Sequence, residues 1–254
     1  MPRFRVYHTE GVILRRVDFG EADRIIIVFT PGRGKLETIA RGVRRLTSRR
    51  AGHLEPLART RLLLAQGRQL DVITQAEALD LFPNVRSDLE RTAAGFYLAE
   101  LVDRFTEPQQ PNVNLYRHLV TGLTLLDQGH EPDLVRRYFE LRLLDAVGFR
   151  PELYRCAECG RDLRPVTNHF SPAAGGVLCP DCGGRNRTVT VGALKVLRFI
   201  QSAPTYEQIA RLRVPPGIMR ELELLLRDYL RFLLERDLKS TAFLDGLRAL
   251  PTRS

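Results

Sequence analysis

The sequence predicts a multidomain α+β protein: a small β-barrel at the N-terminus, then an α-helical domain that carries an inserted four-cysteine finger. Three observations predict it. Residues 5–80 alternate in short β-branched runs broken by glycines, the apolar period becomes helical after Asp80, and all four cysteines fall in two CxxC pairs. The expected division is residues 1–80 for the barrel and 81–254 for the helical domain, with the finger at about 151–190.

The barrel strands come first. Val6 to Val17 forms one alternating run, closed by the turn residues Asp18-Phe19-Gly20. Arg24 to Thr30 is a second, ended by Pro31-Gly32-Arg33-Gly34. Lys35 to Arg41 is a third. Leu57 to Ala65 and Gln69 to Glu77 form two more, paired across Gly67-Arg68. Five short strands with one long interruption at 42–56 fit an OB-fold, and an SH3-like barrel has nearly the same pattern.

Beyond Asp80, Ser87-Asp88-Leu89-Glu90 has the form of a capping box, with Ser87 and Glu90 satisfying exposed amides at a helix start. Leu89, Ala93, Phe96, Tyr97, Leu101 and Phe105 follow at helical spacing and are read as core. Further helices are expected from Asn114 to Gln128, from Pro132 to near Gly148, and from Gly192 to Gln201. A short one follows near Tyr206, then a long one from Gly217 to Arg236, whose Leu222, Leu225, Leu226, Tyr229, Leu230 and Leu233 share one face.

Cys156-Ala-Glu-Cys159 and Cys179-Pro-Asp-Cys182 stand nineteen residues apart. That spacing suits a tetrahedral four-thiolate zinc site, because each CxxC turn presents two sulfurs to one ion. Gly160 and Gly183 follow the two pairs, where tight turns favour glycine. With Cys156, Cys159, Cys179 and Cys182 all supplied by protein, one zinc ion there is structural. His169, between the pairs, is an alternative ligand.

Charge gives the second signal. The chain carries 39 Lys and Arg against 30 Asp and Glu, a net +9, and the cations are nearly all Arg. Such a balance favours polyanions, nucleic acid first and an anionic membrane surface second. Between Arg33 and Arg50 lie Arg33, Lys35, Arg41, Arg44, Arg45, Arg49 and Arg50 against Glu37 alone, which is +6 of the total. The segment spans the third strand and the long loop, where OB-folds hold oligonucleotides. Lys35, Arg41, Arg44, Arg45, Arg49 and Arg50 are therefore the candidate phosphate contacts, with Tyr7, Phe19 and Phe29 as candidate stacking rings. Phosphate contacts of this kind position a strand and carry little sequence information. Arg136, Arg137, Arg161, Arg185 and Arg187 would either extend such a path or be solvated surface.

Catalytic patterns fail residue by residue. Pro31-Gly-Arg-Gly-Lys35 lacks the first glycine of a phosphate loop, where Phe29 stands, and Leu36 replaces the magnesium-holding Ser or Thr. Asp18-Phe19-Gly20 has no accompanying glycine-rich or catalytic loop. His8, His53, His118, His130 and His169 are scattered, and no carboxylate pair has a nuclease arrangement. No signal peptide or membrane-length apolar run is visible, so a cytoplasmic protein without membrane attachment is expected, and one that is not an enzyme.

Several stretches together resemble the RecO family: Gly11-Val-Ile-Leu14, Asp18-Phe-Gly-Glu-Ala-Asp-Arg24, Phe29-Thr-Pro-Gly-Arg-Gly-Lys35, Ala40-Arg-Gly-Val-Arg-Arg45, Ser48-Arg-Arg50 and Leu238-Lys-Ser-Thr-Ala-Phe-Leu244. The resemblance covers nearly the full chain. It implies an N-terminal OB-fold and a helical zinc-bearing domain. It also implies binding of single- and double-stranded DNA, annealing of complementary strands without nucleotide, and action with RecR to load RecA. Single-strand-binding protein and RecF are further partners it implies. An RNA-binding or ribosome-associated zinc protein would share the barrel, the charge and the cysteines.

Overall fold

A computed structural model describes residues 5–235 and 238–249. The first half of the chain opens with five strands: β1 (Val6–Phe19), β2 (Asp23–Thr30), β3 (Gly34–Ala40), β4 (Arg59–Ala65) and β5 (Asp71–Asp80). They close into a barrel in the order β1-β2-β3-β5-β4, with β4 returning to β1. β3 and β5 pair in parallel and the other neighbours are antiparallel. This is the Greek-key order of an OB-fold, which separates it from the SH3-like alternative.

Alternation decides what fills the barrel. Ile13, Ile26, Val28, Leu36, Leu62, Leu64 and Ile73 point inward and form one core cluster. β2 reads as an unbroken apolar run because its other face is also covered, Ile27 and Phe29 being buried there. The Phe29 ring lies 6.3 Å from that of Tyr116 in a following helix. A sharp turn joins β2 to β3 at Gly34, whose φ is +67°. A Cβ at Gly34 would sit 2.2 Å from the Gln110 carbonyl oxygen, so only glycine fits. The 42–56 interruption contains a single 3-10 turn, Ala51–Leu54, whose Leu54 plugs the barrel core.

Three helices follow: α1 (Pro83–Ser87), α2 (Leu89–Phe105) and α3 (Val113–Asp127). The cap of α2 is Asp88, whose carboxylate accepts from the Arg91 amide at 2.9 Å. Ser87, expected as the cap, ends α1 instead and turns its hydroxyl to the Asn84 carbonyl. The expected α2 stripe is half right. Ala93, Tyr97 and Leu101 are buried, whereas Leu89 and Phe96 are exposed. The compact unit built on the barrel runs through Gly129, beyond the change of period at residue 80, and the chain rejoins it from Ser240.

The second unit spans His130–Lys239. It consists of α4 (Pro132–Ala146), a finger with strands β6 (Asn168–Ser171), β7 (Gly176–Leu178) and β8 (Arg187–Val189) and the one-turn α5 (Pro180–Gly183), then α6 (Val191–Ser202) and α7 (Pro216–Leu234). The finger strands form one antiparallel sheet in the order β7-β6-β8. α4, α6 and α7 pack on one another, burying Leu134, Tyr138, Leu197, Leu222 and Leu226. The Gly217–Arg236 helix is confirmed as far as Leu234, and its expected end at Arg236 lies outside the described residues. Helix α8 (Lys239–Ala249) then returns to the first unit, where the Ser240 amide donates to the Glu100 carboxylate at 2.7 Å. Among the described residues, no helix is long and apolar enough to cross a membrane.

Candidate metal centre and nucleic-acid interface

The finger brings the four cysteines together from two separate turns. The first pair follows an extended segment docked on β7, where the Ala157 amide donates to the Val177 carbonyl at 2.9 Å. It turns tightly, with Gly160 N–H donating to the Cys156 carbonyl at 2.8 Å and Gly160 at φ +73°. The second pair straddles the start of α5, where the Cys182 amide donates to the Cys179 carbonyl at 3.1 Å. Here the left-handed residue is Gly184, one later than expected. Gly183 is required for another reason: the His169 ring lies where its Cβ would be.

All four Sγ atoms lie within 4.8 Å of one another, and Cys159 Sγ is 3.9 Å from Cys179 Sγ. A tetrahedral zinc ion with bonds of about 2.3 Å has ligand edges of about 3.8 Å, so the donor set fits such an ion. None of the four is in a disulfide. Cys156 and Cys179 are buried, Cys182 is partly covered and Cys159 is exposed. The amide of Cys179 donates to Cys156 Sγ at 3.3 Å, which stabilises a thiolate there. His169, the alternative ligand, stands outside the four-sulfur cluster, with its Nδ1 3.1 Å from the Asn186 carbonyl.

Arg161, two residues after Cys159, belongs to the centre as well. Its Nε donates to Cys159 Sγ at 3.3 Å, its Nη2 reaches Cys179 Sγ at 3.7 Å, and Asp181 holds the same Nη2 at 2.9 Å. One guanidinium therefore spans both cysteine turns. The hydrogen bond from Arg161 draws the Cys159 thiol down to about 6, while the hydrogen bond with the Cys179 side chain pushes Cys182 up to about 12.

The basic segment divides into two groups. Arg41, Arg45 and Arg49 are exposed on the β3–β4 loop, and among the described residues none of them forms a salt bridge. Arg44 is exposed too, but its Nη1 donates to the Gly20 carbonyl at 3.1 Å and its Nε lies 3.6 Å from Asp18. Arg50 is half-buried and turned inward, donating to the Ile73 carbonyl at 2.6 Å and the Arg41 carbonyl at 2.8 Å. Lys35 is committed elsewhere. Its ammonium is 3.3 Å from Asp103 of α2, with both side chains largely covered. The six expected phosphate contacts thus comprise four outward cations and two that brace the fold.

The candidate rings separate as sharply. Phe29 is in the core. Tyr7 donates its hydroxyl to Asp71 and stacks under the Arg33 guanidinium, 3.9 Å from the ring centroid. Only Phe19, 52% exposed at the end of β1, is open to a ligand. Outside the barrel, Arg136 and Arg137 are buried in α4, where Arg137 pairs with Glu140 at 2.7 Å, so neither is surface. Arg161 and Arg187 pair with Asp181 and Asp228. Arg185 lines a hollow of about 520 Å³ with Arg187, Asn186 and Phe170.

The comparisons with known proteins divide the chain just after β5, where strands give way to helices. The family model described as Recombination protein O N terminal matches residues 4–82, and that described as Recombination protein O C terminal matches residues 86–242. A DNA repair protein RecO from Roseiflexus sp. (strain RS-1) is 49% identical over 251 residues, 98% of this chain and 88% of the relative. Another, from Dehalococcoides mccartyi (strain ATCC BAA-2100 / JCM 16839 / KCTC 5957 / BAV1), is 39% identical over 95% of this chain and 96% of its own length. A third, from Pelotomaculum thermopropionicum, is 36% identical over 98% of both chains. With both family models matched in order and relatives of this identity along nearly its whole length, the chain belongs to the RecO family.

Proposed function

We propose that this chain is a non-catalytic recombination mediator in DNA repair. It binds single- and double-stranded DNA at the rim of its OB-fold barrel and anneals complementary strands. With RecR it promotes RecA loading on DNA that single-strand-binding protein covers, and RecF is a further partner. The observation that carries the reading is the set of Arg41, Arg45 and Arg49 on the β3–β4 loop, exposed and without salt bridges among the described residues, on a chain of this family. Arg44 joins them when phosphate competes for its guanidinium.

The mechanism is electrostatic. Two complementary strands repel through their phosphates, and exposed arginines release counterions from both while reading neither. Base pairing then selects the partner. Arginine suits the task because its planar fork meets two phosphate oxygens at once. In the second unit Cys156, Cys159, Cys179 and Cys182 would hold one structural zinc ion, whose chemistry is to cross-link the two cysteine turns. The finger in turn is fixed to the helices by Arg198 Nε on the Leu153 carbonyl and Gln201 Nε2 on the Pro151 carbonyl, at 2.8 and 2.9 Å. A cytoplasmic site of action follows from this role.

Annealing of two labelled complementary oligomers, without nucleotide, tests the reading. Acceleration by the protein at low salt supports it, and an uncatalysed rate contradicts it. Matched RNA oligomers as competitors decide between this role and that of an RNA-binding zinc protein.

A further inference from the structure

The end of β1 projects an apolar strip into a charged surface. Alternation puts Arg15, Val17 and Phe19 on its outer face, and Val17 and Phe19 are 45% and 52% exposed. Among the described residues Phe19 stacks on no other ring. The turn that follows Phe19 is tied to the start of the arginine-rich loop by three backbone-anchored bonds. Gly42 N–H donates to the Asp23 carboxylate at 2.7 Å, Arg44 N–H to the Ala22 carbonyl at 3.0 Å, and Arg44 Nη1 to the Gly20 carbonyl at 3.1 Å. The exposed ring and the first exposed cations of the loop therefore belong to one braced piece of the barrel rim.

We propose that Phe19 is a stacking platform for one unpaired nucleobase of a single strand whose phosphates lie along Arg41, Arg45 and Arg49. The inference rests on the DNA-binding reading above and adds a base contact to it. A ring open on one face offers a nucleobase apolar area and π-stacking, and it accepts any base because every base has a π-face. The guanidiniums of the loop tied to that turn supply the phosphate attraction that a bare ring lacks. A single platform also suits annealing: one stacked base orients the strand while its neighbours stay free to pair. The site takes single strands in preference to duplex, because a paired base has both faces covered.

Two variants and two ligands test it. The ligands are a fluorescent oligo-dT and an oligomer of equal length and charge built of abasic nucleotides. The parent is expected to prefer oligo-dT by about tenfold, within the range that one stacked base contributes. Phe19→Ala should abolish that preference while leaving the salt dependence unchanged, because the phosphate contacts remain. The chain has no Trp, so Phe19→Trp introduces a single indole. Its emission should be quenched on binding oligo-dT and unchanged on binding the abasic oligomer. If Phe19→Ala keeps the parent's preference, or the indole emission responds equally to both ligands, the stacking site is wrong and the DNA-binding reading stands. If the parent binds neither oligomer at low salt, the DNA-binding reading falls and takes the platform with it.

Discussion

The Lys35 ammonium lies 3.3 Å from the Asp103 carboxylate, joining barrel strand β3 to helix α2 across 68 residues of sequence. Arg15 shares the same carboxylate at 2.7 Å. Lys35 looks like a phosphate contact in sequence because its neighbours are cations, yet its charge is satisfied within the fold. Lys35→Ala should therefore cost roughly 1–3 kcal/mol of stability by leaving a largely covered carboxylate with one partner fewer. Its salt slope for DNA should match the parent's. Denaturant unfolding and binding measured on the same sample check both halves.

The metal centre predicts a different pattern. Replacing Cys156 and Cys159 with Ser should take zinc content from one ion per chain to none and lower the melting temperature, since ions in such closed sites contribute folding energy directly. Metal analysis with calorimetry reads this out. A doubly substituted protein that melts like the parent would mean the site is not structural.

Arg161→Ala should keep the ion but hold it less firmly. Loss of a partner that bonds to the ligands lowers metal affinity by about tenfold or more. The check is zinc release to a chromogenic chelator, with Asp181→Asn expected to fall between parent and Arg161→Ala, because Asp181 only steadies the guanidinium.

On the proposed DNA-binding rim, Asp18 would compete with phosphate for arginine. It takes up Arg24 at 2.9 Å and Arg44 at 3.6 Å, and the Arg24 hydrogen bond holds its carboxyl below the usual carboxylate range. Asp18→Asn should tighten single-strand binding and steepen the log-log salt slope by roughly 0.7 for each arginine released to phosphate. The sign for acid is fixed by the same pairing. A carboxyl with a lowered native pKa supports the fold above its unfolded value and loses that contribution as pH falls through the native one. Asp18 therefore stays ionised near neutrality, and parent binding there should not vary with its titration.

Gly34→Ala tests the turn that sets the β2–β3 register. Left-handed backbone alone costs about 1–3 kcal/mol for a residue with a Cβ. The close approach of the Gln110 carbonyl, 2.2 Å from that Cβ, adds to it. Thermal unfolding should show a clear loss, with little change in zinc content.

Local signals account for what could be read from sequence. The five strands were legible because alternation and the Gly/Pro turns are encoded within a few residues, and the cysteine cluster because two short turns supply all four sulfurs. Long-range partners were not. Nothing near Lys35 announces Asp103, and nothing near Arg161 announces Asp181, although an Arg placed two after a CxxC pair was a usable hint. The cap of α2 was misplaced by one because Ser87 and Asp88 are both good caps, and the extended backbone of Asp88 decided between them. Arg136 and Arg137 read as surface by charge, whereas α4 is covered on several sides and buries both. No helix was expected over Lys239–Ala249, where α8 forms.

The most direct test of the central claim is a salt series of binding to a fluorescent single-stranded oligomer, for the parent and for a variant with Arg41, Arg45 and Arg49 changed to Ala. Each lost phosphate contact should flatten the log-log slope by roughly 0.7, so the triple variant should bind more weakly and lose about 2 from the slope. A variant curve that overlies the parent's would contradict the account and move the DNA away from the barrel rim.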